Sequence, residues 1–449
     1  MKKKKFKSSA ISRFASFSKT VAIAGGHLAL DRVGKRVDKI SQKKKDFDEL
    51  KHKIAAAREI IKQMSHLKGA LMKLGQMISI TEDLVLPPEI SKLFRELQKS
   101  APPMSEKDLN NVFKKSFNKL PQDIFKEFDR SPMAAASIGQ VHKATLPTGE
   151  LVAVKVQYPK IVNAIKSDFK NLEQLKKLIT LIFPDTPDID NYLQELKRTL
   201  LEECDYKKEA NNILWFREHL MEKNAGIYIP KVFSEYSSSQ ILTMEFVEGD
   251  DYEQTKTYSY SQKNFLGQAL YDAHMYSLFY LNKMHTDPQN GNYLFTPEKI
   301  ILLDFGSIRE FPDEFIKHYI DIIRSIEIQD FDLYQKSIRY LGYLENEEDT
   351  PLLEEHFKLI SDLYLPYTKK GLHPIHPQNP FRMVDSFVKK VNLKGRKAPR
   401  EEFLLLDRSN LGLYTKLKYW GSEIDWLSSK HSAWNAFESK SLPREGKTQ

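Results

Sequence analysis

A single cysteine, Cys204, is the whole thiol inventory of the 449-residue chain. Its isolation excludes an intramolecular disulfide and any cysteine cluster for zinc or iron–sulfur, and it fits a reducing compartment. Long apolar runs are lacking as well. Near the N-terminus VAIAGGHLAL is too short to cross a bilayer, and Arg13 and Lys19 interrupt any apolar core. Neither a signal peptide nor a transmembrane helix is read there. Net positive charge is missing from most of the chain. Residues 1–45 hold eleven lysines and three arginines against Asp31 and Asp38, about +12, whereas the whole chain carries +9. The remainder is slightly acidic, which excludes a basic nucleic-acid-binding body and leaves nucleic acid out as a partner.

What is present describes a globular protein. Hydrophobic content of 41%, charged content of 29% and this length suffice for two or three units around substantial cores. In the basic arm, residues 1–50, Ile11, Phe14, Val21 and Ala22 share one helical face, with lysines placed for anionic headgroups. Peripheral membrane contact is one reading of the arm; a solvated disordered arm and an organelle transit peptide are the others.

Beyond the arm, Ile54, Ala57, Ile61, Met64, Leu67, Leu71, Leu74 and Ile78 recur in steps of three and four, which predicts an amphipathic helix. Pro87-Pro88 ends it, and Ile90, Leu93, Phe94 and Leu97 open a shorter one. Ser105 to Asp108 reads as the capping box of a third, with Leu109, Val112, Phe113 and Phe117 facing inward. Near Ser131 the character changes. VHKATL and ELVAVKVQY alternate as strands around the turn Pro147-Thr148-Gly149. In the second strand Val152, Val154, Val156 and Tyr158 fall on one face, and Ala153, Lys155 and Gln157 on the other. QILTMEFVEG, residues 240–249, is a further strand. Residues 161–182 and 190–220 return to helical spacing, and from Phe265 helices dominate, broken by MHTDPQNGNYLF and IILLDFGSI.

Those two breaks carry the chemistry. His285, Asp287 and Asn292 fall in the first, and Asp304-Phe305-Gly306 in the second. The order H-x-D-x-x-x-x-N then D-F-G, downstream of V-A-V-K, is the protein-kinase signature set. Phosphoryl transfer works by positioning and charge neutralisation, with magnesium bridging phosphate oxygens. Asn292 and Asp304 offer the oxygen ligands a hard ion takes. Asp287 is placed to orient the acceptor or take its proton, and Lys155 to hold the inner phosphates as a point charge. Each motif alone is common strand or loop composition; their joint order and separation make the reading.

The lid before Lys155 lacks its glycines. On the kinase pattern G-x-G-x-x-G-x-V the chain reads Ala134, Ala135, Ala136, Ser137, Ile138, Gly139, Gln140, Val141. Alanine restricts φ and adds a methyl where glycine lets backbone N–H groups approach phosphate. A stiffer lid with a different phosphate cradle is expected.

This alanine loop, with KLGQ at Lys73 to Gln76, resembles the UbiB-type (AarF-like) atypical kinase family. So do LPPEISKLFRELQKSAPPMS, VAVKVQYP, EECDYKKEANN, ILTMEFVEG, TDPQNGN and LLDFG, and more loosely LLLDRSNLGLYTKLKYWG. The resemblance implies an α+β, protein-kinase-like two-lobed fold, with a small β-rich N-lobe, a larger helical C-lobe and an N-terminal helical extension. The expected boundaries are 1–50 for the arm, 51–125 for the extension, 126–248 for the N-lobe, 249–390 for the C-lobe and 391–449 for a helical tail. Lys73 and Gln76 would cover the usual peptide entrance. Glu203 and Asp205 form an ExD motif facing the extension and the metal, and Glu209 pairs with Lys155. For His285 the resemblance implies packing rather than chemistry. The nucleotide set is Ala134, Ala136, Ser137, Gly139, Val141, Lys155, Glu209, Met244 and Glu245. Glu203, Asp205 and Glu209 are read inside one helical stretch.

The resemblance also implies ATP or ADP with Mg2+, support of isoprenoid quinone synthesis, and contact with an isoprenoid lipid or quinone precursor and quinone-synthesis enzymes. The location expected is cytoplasmic, peripheral on the cytoplasmic membrane face. With no C-terminal membrane-spanning helix, membrane contact would be peripheral, lipid-mediated or absent. Two other readings stand beside it: a non-catalytic nucleotide-gated scaffold, and a small-molecule kinase sharing the D-P-x-x-x-N and D-F-G order.

Overall fold

The computed structural model describes residues 104–136, 138–166, 169, 190–342, 344, 346–375 and 400–441. The basic arm, the helices expected between Ile54 and Leu97, Lys73 and Gln76 of KLGQ, and Ser137 lie outside them. The described residues form two compact units. One runs to Lys208 and takes in Phe233–Phe246; the other comprises Glu209–Val232 and the chain from Val247.

The first unit opens with helix α1, Glu106–Phe117. Ser105 caps it, its hydroxyl accepting from the Asp108 N–H at 3.1 Å and donating to the Asp108 carboxylate at 2.7 Å. Asn118, in the left-handed region at φ 57°, ends it. Strands β1 (Glu127–Phe128), β2 (Ala134–Ala135), β3 (Gly139–Thr145), β4 (Leu151–Gln157) and, later in the chain, β6 (Ile241–Glu245) make an antiparallel sheet ordered β1-β3-β4-β6, with β2 also on β3. Gly149, at φ 102°, turns the β3–β4 hairpin where a side chain would be strained. Val152, Val154 and Val156 are wholly buried among Leu109, Val112, Phe113 and Phe125, so the valine face lies against α1. Each such valine contributes roughly 1.5–3 kcal/mol.

Helix α2 ends at Glu203 (Asp190–Glu203) and α3 begins at Tyr206 (Tyr206–His219). The single helical stretch expected around the ExD motif is therefore two helices. Asp205 is the reason: its carboxylate accepts from the Lys207 and Lys208 N–H groups, both at 3.1 Å, and so caps α3.

In the second unit β5 (Ile227–Tyr228), β8 (Tyr293–Thr296) and β9 (Lys299–Leu302) form a sheet ordered β5-β9-β8. Helix α4 (Tyr260–Met275) runs into a π-helical turn, Tyr276–Tyr280, ahead of β7 (Lys283–His285), which pairs with β10 (Ile308–Glu310). Helices α5 (Asp313–Ile328), α6 (Phe331–Tyr340) and α7 (Thr350–Tyr364) follow. A short ribbon, β11 (His373–Pro374) with β12 (Glu423–Ile424), brackets α8 (Glu401–Trp420), and α9 (Trp426–Ser441) comes last. Phe279, Phe315, Ile316, Tyr334 and Leu353 pack with Leu406 of α8 and Trp434 of α9 into one apolar core. Gly421, at φ 63°, stops α8. Among the described residues no helix is long and apolar enough to cross a membrane.

Candidate nucleotide and phosphoryl-transfer site

Sheet register assembles the first half of the predicted set. Antiparallel partners share a face, and Ala134, Val141, Lys155 and Leu242 lie opposite one another in a row across four strands. A second row on that face is Lys143, Ala153 and Met244. Ala134, Val141, Lys155 and Met244 thus share the face turned away from the buried valines. Glu245 pairs with Val152 and so belongs to the valine face. The alanine lid is a tight hairpin: the Ala136 N–H donates to the Gly139 carbonyl at 3.0 Å, and the Met133 N–H to that of Val141 at 2.9 Å. Gly139 is required by packing, since a Cβ there would collide with the Val156 carbonyl.

Lys155 Nζ sits 5.1 Å from the Tyr206 ring centroid. Gln157 Nε2 donates to the Cys204 carbonyl at 2.8 Å, which ties the turn between Glu203 and Asp205 to the lysine strand. Glu203 is buried and Asp205 exposed. Burial, then the Glu203 carboxylate, push the Cys204 thiol up to about 12, so it is inert at neutral pH. On the opposite face the His142 Nδ1–H donates to the Asp129 carbonyl and Nε2 accepts from Gln140 Nε2, each at 2.8 Å. That assigned tautomer is neutral, and burial lowers its pKa.

The second unit joins the two loops that sequence placed nineteen residues apart. Strand pairing of β7 with β10 sets His285 against Ile308, and pairing of β8 with β9 sets Tyr293 against Leu302. Between these ladders the Thr286 N–H donates to the Ser307 carbonyl at 2.8 Å, and the Leu303 N–H to the Asn292 carbonyl at 2.9 Å. Asp287, Asn292 and Asp304 are consequently held on adjoining loops. Asn292 Nδ2 donates to the Asp287 carbonyl at 3.2 Å, which leaves its amide oxygen as the side-chain acceptor. Asp304 Oδ1 accepts from the Gly306 N–H at 3.0 Å in an Asx turn.

His285 stands edge-on to Phe305 at 6.0 Å, with Nε2 3.8 Å from Asp304 Oδ1. Phe305 is buried against Phe216, and its carbonyl accepts from Asn212 at 3.0 Å. Burial, then the Asp287 and Asp304 carboxylates, raise the Tyr293 pKa. A cavity of ≈ 70 Å³ lined by His285, Asn292, Tyr293, Leu302, Asp304 and Phe305 lies among these side chains. It is well below the roughly 300 Å³ at which small-molecule sites begin. Glu209, on α3 in this unit, is buried at 1% exposure.

Three residues of α8, inside the loosely matching stretch LLLDRSNLGLYTKLKYWG, were given no role by sequence reasoning. Arg408 donates to the Thr286 carbonyl through Nε at 2.9 Å and a terminal guanidinium nitrogen at 2.5 Å. Lys416 Nζ donates to the Pro288 carbonyl at 2.5 Å and lies 4.5 Å from the Tyr293 ring centroid. Burial lowers the Lys416 pKa to about 7 against the opposing pull of Asp287. Midway between them, a Cβ on Gly412 would strike the Pro288 ring. Their four-residue spacing, one helix face, was the available signal.

Asn292 and Asp304 suit magnesium. Both present hard oxygens, and the commitment of the Asn292 amide nitrogen to the Asp287 carbonyl fixes which end is free to ligate.

Residues 96–338 match the family model of the ABC1 atypical kinase-like domain. The chain is 33% identical over 311 residues to atypical kinase COQ8, mitochondrial, of Schizosaccharomyces pombe, covering 69% of this chain and 50% of that protein. It is 29% identical over 424 residues to atypical kinase COQ8B, mitochondrial, of Danio rerio, covering 93% and 68%. Among solved structures, that of Rv3197 with erythromycin from Mycobacterium tuberculosis superposes with a TM-score of 0.58 at 23% identity, over 88% of this chain and 99% of that one, a likeness of fold alone. More than half of the chain lies in the family match, and the protein belongs to the ABC1 atypical kinase-like family, of the UbiB or AarF type, with its α+β, two-lobed kinase-like fold.

Proposed function

We propose that the protein is an atypical kinase or ATPase that binds magnesium with ATP or ADP and supports isoprenoid quinone, ubiquinone-like, biosynthesis or prenyl-lipid handling at a membrane surface. The observation that carries the chemistry is the paired ladders that hold Asp287, Asn292 and Asp304 on adjoining loops, with the Asn292 amide oriented by the Asp287 carbonyl. Asn292 and Asp304 would hold the magnesium, which when bound would neutralise phosphate charge. Lys155 holds the inner phosphates, and Ala134, Ala136, Ser137, Gly139, Val141 and Met244 form the nucleotide side, with Glu245 contributing main chain. Glu209 pairs with Lys155.

Asp287 orients the acceptor oxygen and takes its proton as that oxygen bonds to the γ-phosphorus and the bond to the bridging oxygen breaks. On this reading Lys73 and Gln76 cover the usual peptide entrance, and Glu203 and Asp205 face the extension and the metal. The quinone assignment rests on the COQ8 relatives, of which the fission yeast protein is only half spanned. The basic arm supplies peripheral attraction to an anionic surface.

The test is ATP turnover with magnesium. Asp287→Asn should lower kcat by roughly 1000-fold while nucleotide binding persists. Retained turnover in that variant would exclude the role of Asp287, whereas nucleotide binding without turnover in the wild type would favour a non-catalytic scaffold.

A further inference from the structure

The catalytic loop is buried at Thr286, Asp287 and Pro288, so its carbonyls need donors. The Asp287 carbonyl takes Asn292; the donors to Thr286 and Pro288 both come from α8, both are basic side chains, and both are themselves buried, Arg408 at 7% exposure and Lys416 at 2%. Neutral donors would satisfy a carbonyl with a smaller desolvation penalty. What favours basic side chains here is the carboxylate between the two carbonyls, that of Asp287, which pulls on Lys416 against its burial. Gly412 sets the spacing, because only a residue without a side chain lets Pro288 rest on the helix.

We infer that Arg408, Gly412 and Lys416 are positioning residues for Asp287, clamping the loop on either side of it, and that α8 belongs to the catalytic apparatus. The inference rests on the reading of Asp287 given above and adds a helix that none of the kinase motifs contains. The clamp holds one proton acceptor in place and leaves nucleotide binding to other residues. Its loss should therefore lower kcat and spare KM.

The experiment is steady-state magnesium-dependent ATP turnover by the full chain and by Arg408→Met, Lys416→Met and Gly412→Ala, each checked by thermal melting. A misplacement of the order of an ångström predicts kcat lowered about 100-fold, with KM for nucleotide changed by no more than about threefold. Arg408→Lys, which keeps one donor, should recover about tenfold of that loss. In an Asp287→Asn background the α8 substitutions should lower kcat no further.

If wild type and Asp287→Asn turn over alike, the reading of Asp287 fails and the clamp with it. If those two differ but the α8 variants match wild type, or add their losses to that of Asp287→Asn, only the clamp fails. Failure of all three variants to fold would make α8 a structural helix and overturn the proposal.

Discussion

Lys155 and Asp287 are held by different means. Lys155 stands on an inner strand, paired to β3 and β6 by backbone ladders, with three buried valines behind it. Asp287 stands in a loop whose flanking carbonyls are held by side chains 122 and 128 residues further along the chain. A ladder uses groups every residue has, so the lysine's position survives most changes nearby. The loop relies on particular side chains, and single substitutions should move it.

The sharpest way to break the contrast is acid. Burial holds His274 and His356, both in the second unit, at about 4. They are neutral in the fold and take up protons in the unfolded chain below about 6.5. Their stabilising contribution is intact above pH 6.5 and lost as pH falls towards 4, on the order of 3 kcal/mol for each. Trp215, Trp420, Trp426 and Trp434 are the chain's four tryptophans, and all lie in that unit. Urea denaturation followed by tryptophan fluorescence should show its midpoint falling between pH 6.5 and 4. A flat midpoint would deny that the helical unit depends on buried neutral histidines.

Next in size is the ladder itself. Val154→Ala should destabilise the protein by about 2 kcal/mol. Because backbone pairing fixes the lysine, kcat of the folded fraction should stay within about twofold of wild type. A kcat falling with stability would erase the distinction between ladder and loop. The smallest effect belongs to the lid. Ala134→Gly with Ala136→Gly should lower stability by about 1 kcal/mol or less, while nucleotide affinity, read by titration calorimetry, changes. Unaltered affinity would make the two methyls incidental.

The same contrast governs what was legible in the sequence. Alternation in ELVAVKVQY was enough to put the valines and Lys155 on opposite faces, because strand period is a local property. The N-cap at Ser105, though not the full capping box, and the D-F-G turn were readable for the same reason. Asp205 misled the helix reading, since an acidic residue amid helical spacing is also a strong cap, and here the cap won. Gly139 looked like a phosphate residue, yet its immediate constraint is the Val156 carbonyl. Arg408, Gly412 and Lys416 could not be connected to Asp287 by any local rule. The partners of Arg408 and Lys416 are main-chain carbonyls, which leave no mark on residue type.

The central claim is that Asn292 and Asp304 grip a magnesium-bound nucleotide, and titration calorimetry of ADP tests it most directly. Binding to wild type should require magnesium, vanish with EDTA, and weaken by about tenfold or more in Asp304→Asn. Equal affinity with and without the metal, or in the variant, would contradict the account.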